Sequence, residues 1–332
     1  MEKTLAGPPA LRNNFSLFVT LLATGLVAAC GGGGGGGDSG LTRADATVII
    51  DENNAVDVVR NVEDSNAFAR SIVLGLLVDA ATVSSASVSA SQTNSGDGPE
   101  LNSAAASAEF CNGGEADVNE SDLIVIFSFF DCQDFNYTSD NLGNIQFPGL
   151  LDGMLQVEVS AQSSSETDFQ ATITLTNFSV TNESGTEWGN GSLNLDYLET
   201  SSSIIVDITT GAFDMEMASA TRSLTAYRYF LVTDAIEETV ESDGGLTSSD
   251  FDFLAYFETP QPFVTDVGDS WPTAGRRVIY GANQARVRVT PQGDGLNARV
   301  ELDVDGTEGF ETSCTYSWEE LLGDDPIIAC AD

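Results

Sequence analysis

The segment Asp303-Val-Asp-Gly-Thr-Glu-Gly-Phe-Glu311 gathers four carboxylates around two glycines. Oxygen ligands at alternating positions with a glycine turn suit Ca²⁺, which makes Asp303, Asp305 and Glu308 the candidate metal ligands. The segment departs from the EF-hand pattern, with no Asp or Asn at position five and no Glu at position twelve, and an acidic β-turn is the plainer reading. Two carboxylates about 5–10 Å apart also suffice for glycoside hydrolysis. In a chain with 51 Asp and Glu, however, such pairs arise by chance. Other chemistries lack their residues. There is no histidine, hence no imidazole base, no Ser-His-Asp triad and no His-ligated metal. Lys3 is the single lysine, so nothing beyond the N-terminal segment can form a Schiff base. Nucleophile-elbow, zincin, P-loop and dinucleotide motifs are absent. The expectation is a protein that is not an enzyme, with no cofactor beyond the Ca²⁺ candidate.

The residues ahead of the body carry a different chemistry. Lys3 and Arg12 precede a fifteen-residue, mostly apolar run, Phe15–Ala29, which ends in small residues. A membrane-spanning helix needs about 20 apolar residues, so this run has signal-peptide anatomy. Val27-Ala28-Ala29-Cys30 closely resembles the lipobox of bacterial lipoproteins. That resemblance implies cleavage before Cys30, a diacylglycerol thioether on its sulfur and acylation of the new N-terminus. Several acyl chains hold a protein firmly, since each buried CH₂ contributes about 0.8 kcal/mol. Gly31 to Gly37 then read as a flexible tether of roughly 15 Å reach. Gly31, rather than Asp, after the cysteine implies export to the outer membrane. The domain reading is a signal peptide over residues 1–29, lipidated cysteine and tether over 30–46, and one domain over 47–332.

The net charge is −39. Such a surface repels nucleic acid and anionic membranes. The carboxylates are dispersed among apolar residues rather than massed in a tail, a balance similar to that of proteins from saline habitats. Cys111, Cys132, Cys314 and Cys330 remain after Cys30. An even number in an exported chain points to disulfides. Three connectivities exist, and the sequential one, Cys111–Cys132 and Cys314–Cys330, closes the shortest loops. Zinc is a weak rival without C-x-x-C or histidine.

Residues 53–83 show apolar side chains at three- and four-residue steps, from Ala55 through Val58, Val62, Ile72 and Leu76 to Ala80, and predict a helix capped at Asp51 or Asn53. A polar interruption, Asn61 to Ser65, predicts a break into two pieces. Residues 84–107 are rich in Ser, Ala and Asn and read as a loop. From Leu123 onward, Val/Ile/Thr/Phe/Tyr runs alternate with turns. Twelve strands are predicted: 123–130, 153–161, 169–177, 191–199, 203–209, 212–218, 223–233, 250–259, 276–281, 285–291, 298–305 and 311–318. Without intervening helices the simple topology is an antiparallel meander. Val287 and Val289, with Val300, Leu302 and Val304, should face the core; Arg286, Arg288, Arg299, Glu301, Asp303 and Asp305 should point out. The fold class is therefore α+β, mostly β. It is a large antiparallel meander (a curved sheet, half-barrel or two packed sheets) with an N-terminal helix packed on it.

The stretch from Ser270 to Leu322, with its Pro-x-x-Gly…Gly-Ala-Asn strand pair, Asp-x-Asp-Gly turn and Trp318–Leu321 close, resembles uncharacterised Gram-negative outer-membrane lipoproteins. That likeness implies fold and location but no activity. The leading expectation is a non-catalytic envelope lipoprotein, anchored to the membrane through its lipid, structural or binding a protein, macromolecule or glycan, with no nucleic-acid partner. Exposed aromatics among Tyr227, Tyr229, Phe230, Phe251, Phe253 and Tyr256 are candidates for a contact face. The alternative is a carrier of lipid or another hydrophobic ligand, with Ile72 and Leu76 lining its cavity. A carboxylate-dependent hydrolase is the third reading. Replacing Cys30 with Ala is expected to abolish labelling by a radioactive fatty acid and to move the protein from the membrane to the soluble fraction. A variant that keeps its label would overturn the lipobox assignment.

Overall fold

The computed structural model describes residues 41–77, 102–103, 110–121, 123–139, 143–162, 168–182, 185–217, 220–307 and 309–323. Two helices, α1 (Ala55–Leu77) and α2 (Trp318–Leu322), accompany fourteen strands. These are β1 (Asn102–Ser103), β2 (Gly113–Glu120), β3 (Ile124–Ser139), β4 (Gly143–Gln162), β5 (Asp168–Asn182), β6 (Gly185–Glu199), β7 (Ser203–Met217) and β8 (Ala220–Asp234). They continue with β9 (Glu237–Ser248), β10 (Phe251–Asp266), β11 (Ala274–Tyr280), β12 (Arg286–Pro291), β13 (Asn297–Asp303) and β14 (Thr312–Ser317). Each strand pairs antiparallel with its sequence neighbours, in the order β1 to β14, in one open sheet. Mostly-β α+β architecture with an N-terminal helix on a meander is thus the fold, built from one sheet rather than two.

The helix packs across the sheet, touching β4, β8, β9, β10 and β12 as well as α2. Its fully buried residues, among them Val58, Asn61, Val62, Ser65, Phe68, Ile72 and Leu76, cover about half of its circumference. A helix on one flat layer buries a narrower stripe, so the sheet is concave around it. A row of backbone irregularities supplies the bend. Asp131 (φ 52°), Gly153 (φ 91°), Asn177 (φ 49°), Gly191 (φ 127°), Ala226 (φ 53°) and Gly244 (φ 150°) lie on β3 to β9. Strand register shifts beside most of them. The row is continuous: a Cβ on Gly153 would stand 2.1 Å from the carbonyl oxygen of Asn177, and the Asn177 N–H donates to Asn190 Oδ1 at 3.4 Å. Bulges bend a strand and tighten its twist; aligned across neighbours they crease the whole sheet.

Helix α1 runs unbroken through the polar stretch that predicted a break, because those side chains meet polar partners on the concave face. Glu63 pairs with Arg277, whose side chain is 1 % exposed and also donates to Ser242 Oγ at 2.9 Å. Arg222 reaches Asp64 at 3.3 Å, and Arg70 grips both oxygens of Glu238 at 2.9 Å. Asn61 accepts from Ser248 Oγ at 2.7 Å and donates to Asp250 at 3.1 Å. Burial pushes the Tyr229 hydroxyl up to about 12 and that of Tyr227 well above its usual range, so both stay neutral inside this layer. The helix also makes a connection at its exposed side, where Arg60 donates to the carbonyls of Leu321 and Glu320 in α2.

Several boundaries differ from the sequence reading. The predicted strands 203–209 and 212–218 are one strand, β7, since Gly211 continues the ladder instead of turning. Strands β2 and β9 were not foreseen. Strand β9, Glu-Glu-Thr-Val-Glu-Ser-Asp-Gly-Gly-Leu-Thr-Ser, has little β-propensity; its place between β8 and β10 makes it a strand. Val304 is exposed, because β13 ends at Asp303 and the chain turns there. Of the six aromatics considered for a contact face, Tyr227, Tyr229 and Phe251 are core, and the side chain of Phe253 lies outside the described residues. Cys111 and Cys132 are bonded, tying the lead-in of β2 to β3. Cys314 is in a disulfide as well; Cys330, its expected partner, lies outside the described residues, as do Cys30, the glycine tether and residues 84–101 of the loop. Residues 41–46, read as the end of the tether, pack on the body through a 3₁₀ turn over Arg43–Asp45 and a buried Ala46.

Removing one member of a buried pair strands the other's charge, at about 3–5 kcal/mol. Glu63→Ala is expected to lower stability by about 3 kcal/mol in urea unfolding. The Glu63→Leu/Arg277→Met double variant should lose less than that. A loss under about 0.5 kcal/mol in the single variant would show that the pair does not hold the helix.

Candidate functional site

The outer face of β10 to β13 concentrates the arginines of this acidic protein. The alternation of β12 puts Val287 and Val289 into the core and Arg286 and Arg288 outward. In register across the β12–β13 hairpin, Arg286 faces Asp303 and Arg288 faces Glu301. The ion pairs form as the spacing predicts, at 2.7 Å for Arg286–Asp303 and 2.6 Å for Arg288–Glu301, with Arg299 joining Glu301 at 3.1 Å. One expectation fails: Glu301 and Asp303 point outward yet are buried, 5 % and 0 % exposed. The arginines cover them, and Phe310 closes the top, its ring centre 4.0 Å from the Arg288 guanidinium carbon and 5.1 Å from that of Arg286.

Beside this cap lies a groove of about 260 Å³, lined by Arg43, Glu258, Pro260, Arg276, Val278, Tyr280, Arg286, Arg288 and Phe310. The residues before α1 build its far wall. Thr47 and Val48 donate backbone N–H groups to the Leu254 carbonyl, at 2.8 and 3.0 Å, and Ala282 donates to Val48 at 2.6 Å. That strapping lets Arg43 pair with Glu258 and stack over Tyr280 at 4.6 Å. Tyr280 also donates to Glu258 at 3.1 Å, and burial pushes its hydroxyl up to about 12. Arg43 and Arg276 sit far apart in the sequence from the hairpin arginines or across a strand from them, and only the fold joins them in one lining. The clustering of Arg276, Arg277, Arg286, Arg288 and Arg299 was visible in the sequence; that Arg277 turns inward to the helix was not.

The acidic turn beyond β13 brings Asp303, Asp305 and Glu311 together, with carboxylate oxygens within 4.8 Å of one another; Glu308 lies outside the described residues. These carboxylates already serve the turn. Asp303 accepts from the Gly306 N–H at 2.7 Å as well as from Arg286, Asp305 from the Thr307 N–H at 2.9 Å, and Glu311 from the Val304 N–H at 3.0 Å. Ca²⁺ takes six to eight oxygens. Three carboxylates, one of them held by a guanidinium, fit a self-capped turn better than a calcium cage.

Ile72 and Leu76 are 3 % and 4 % exposed and belong to the single apolar core beneath the sheet. The apolar cavity near the start of α1, bordered by Ala55, Val56, Val300 and Leu302, measures about 30 Å³. That is room for one or two waters. Comparison with protein-family models, curated proteins and solved structures gives no match.

The Thr307 side chain, by hydrogen bonding, holds the Asp305 carboxyl below the usual carboxylate range. A carboxyl lowered on folding favours the folded turn above its unfolded pKa, and that preference fades as pH falls through the folded value. In a carbon-detected NMR titration Asp305 should therefore titrate below an ordinary Asp. Thr307→Val should raise it toward the ordinary value; an unchanged midpoint would remove Thr307 as the cause.

Proposed function

We propose that the protein is a non-catalytic lipoprotein of the bacterial outer membrane, held by acyl chains on Cys30, whose folded body binds an envelope macromolecule or glycan. The observation that carries this reading is the filled concavity of the sheet. A carrier of lipid needs an open apolar chamber of some 300 Å³ or more, whereas α1 occupies the trough and packs Ile72 and Leu76 into a continuous core. Binding then falls to the outer surface, where the arginine groove is a concave, charged feature built from three strands and the N-terminal strap.

The chain length supports a place at the membrane. Thirteen residues separate Cys30 from Arg43, a span of at most about 45 Å when fully extended. Because residues 41–50 are strapped to β10, the groove stays within that distance of the lipid anchor, among the saccharides and proteins of the envelope.

Native mass spectrometry of residues 38–332, purified from the periplasm and incubated with envelope lipids, tests the choice between binding surface and carrier. Bare protein is expected. A stoichiometric lipid-sized adduct would overturn the surface reading and direct mutation to Ile72 and Leu76.

A further inference from the structure

Arg276 stands apart from the other arginines. Nine of the ten within the described residues hold a protein acceptor. Arg60 holds two carbonyls of α2, and the other eight pair with carboxylates. Arg276 makes no such contact, in a chain with 51 acidic residues. Its Nε–H is shut off from solvent without an acceptor, and so is that of Arg286. Both side chains line the same groove. Enclosed donors ordinarily find partners, so two orphaned guanidinium N–H groups in one concave site mark a place for an external acceptor.

We propose that this groove binds the carboxylate of a uronic acid residue within an acidic glycan. This deepens the binding reading above and rests on it. The lining sets four arginines against one carboxylate, Glu258, and guanidinium forks match a carboxylate in two-point geometry. Charge selects the monoanion: the field of a protein of net charge −39 opposes a phosphate dianion about twice as strongly. Size selects a single sugar, since about 260 Å³ falls below the roughly 300–1,000 Å³ of sites for drug-sized ligands. Tyr280, Phe310, Pro260 and Val278 add apolar surface for the C–H face of a pyranose ring. The groove also sits on a sheet face whose strands β10, β11 and β12 are paired on both sides. A peptide backbone therefore finds no free ladder there, whereas a sugar acid needs only side chains.

The test is calorimetric titration of the mature, lipidated protein in detergent micelles at low salt. The probes are trigalacturonate, a neutral galactose trimer, N-acetylglutamate and inorganic phosphate. Trigalacturonate is expected to bind saturably at one site, and the galactose trimer not at all. Arg276→Ala should weaken trigalacturonate about tenfold or more, as loss of a charged hydrogen-bond donor does. Because Arg276 holds no protein partner, its melting temperature should not fall. Arg228→Ala, which disrupts a pair on β8 with Asp207, should leave binding intact. No saturable uronate binding, equal binding of the neutral trimer, or wild-type affinity in Arg276→Ala would each overturn the proposal. Tighter binding of phosphate would assign the groove to phosphate, and equal binding of N-acetylglutamate to acidic peptide, overturning it as well. These failures leave the mass-spectrometric result untouched, whereas a lipid adduct there would sink the wider reading first.

Discussion

The pair between Glu63 and Arg277 lies at the centre of the interface on which the architecture depends. A meander this large has one face to bury, and α1 is the element that covers it. Apolar contact alone would let a helix slide or rotate in a smooth trough. The layer of Asn61, Glu63, Asp64 and Arg70 against Ser248, Asp250, Arg277, Arg222 and Glu238 admits one arrangement. Any shift by a residue leaves several charges buried without partners, and each such charge costs kilocalories. Specificity of docking is thus concentrated in five or six polar contacts, while the surrounding Val, Ile, Leu and Phe side chains supply the burial free energy.

The concavity that receives the helix comes from defects rather than from regular strands. A twisted sheet of many strands tends to curl or divide, and the row from Asp131 to Gly244 turns that tendency into a crease at a chosen height. The residues there accept left-handed backbone for different reasons. Gly153 has no Cβ to strike the Asn177 carbonyl, while Asp131 and Asn177 are short polar residues that tolerate this region. The sheet ends on short strands, two residues in β1 and six in β14, which limits the exposed ladder available to another chain.

The charge imbalance shapes the surface in a similar way. With arginine scarce, almost every guanidinium serves more than one purpose: docking α1, joining α2, or shielding carboxylates that the strand alternation placed outside and the arginines then covered. Glu301 and Asp303 lie under Arg286, Arg288, Arg299 and Phe310. The same coverage leaves Arg276 beside a groove with unspent donor capacity. Structural neutralisation and ligand recognition therefore share one face and nearly the same residues.

Periodicity alone determined the helix, its apolar stripe, the antiparallel order and the Arg-over-carboxylate hairpin, because these rest on side-chain spacing within a few residues. The signal-peptide anatomy and Cys30 were equally local. What spacing could not carry was anything decided by a partner far along the chain. The polar stretch Asn61–Ser65 looked like a break, since its acceptors and donors lie on β8 to β11, almost two hundred residues away. Strand β9 was invisible because its glycines and carboxylates become strand only between β8 and β10. The groove needed Arg43 from before α1, Arg276 from β11 and Phe310 from the last turn to meet on one face. Local pattern sets which face of an element is apolar; the curvature of the sheet and the desolvation of its polar groups, which exist only once the chain has closed on itself, set what each face meets.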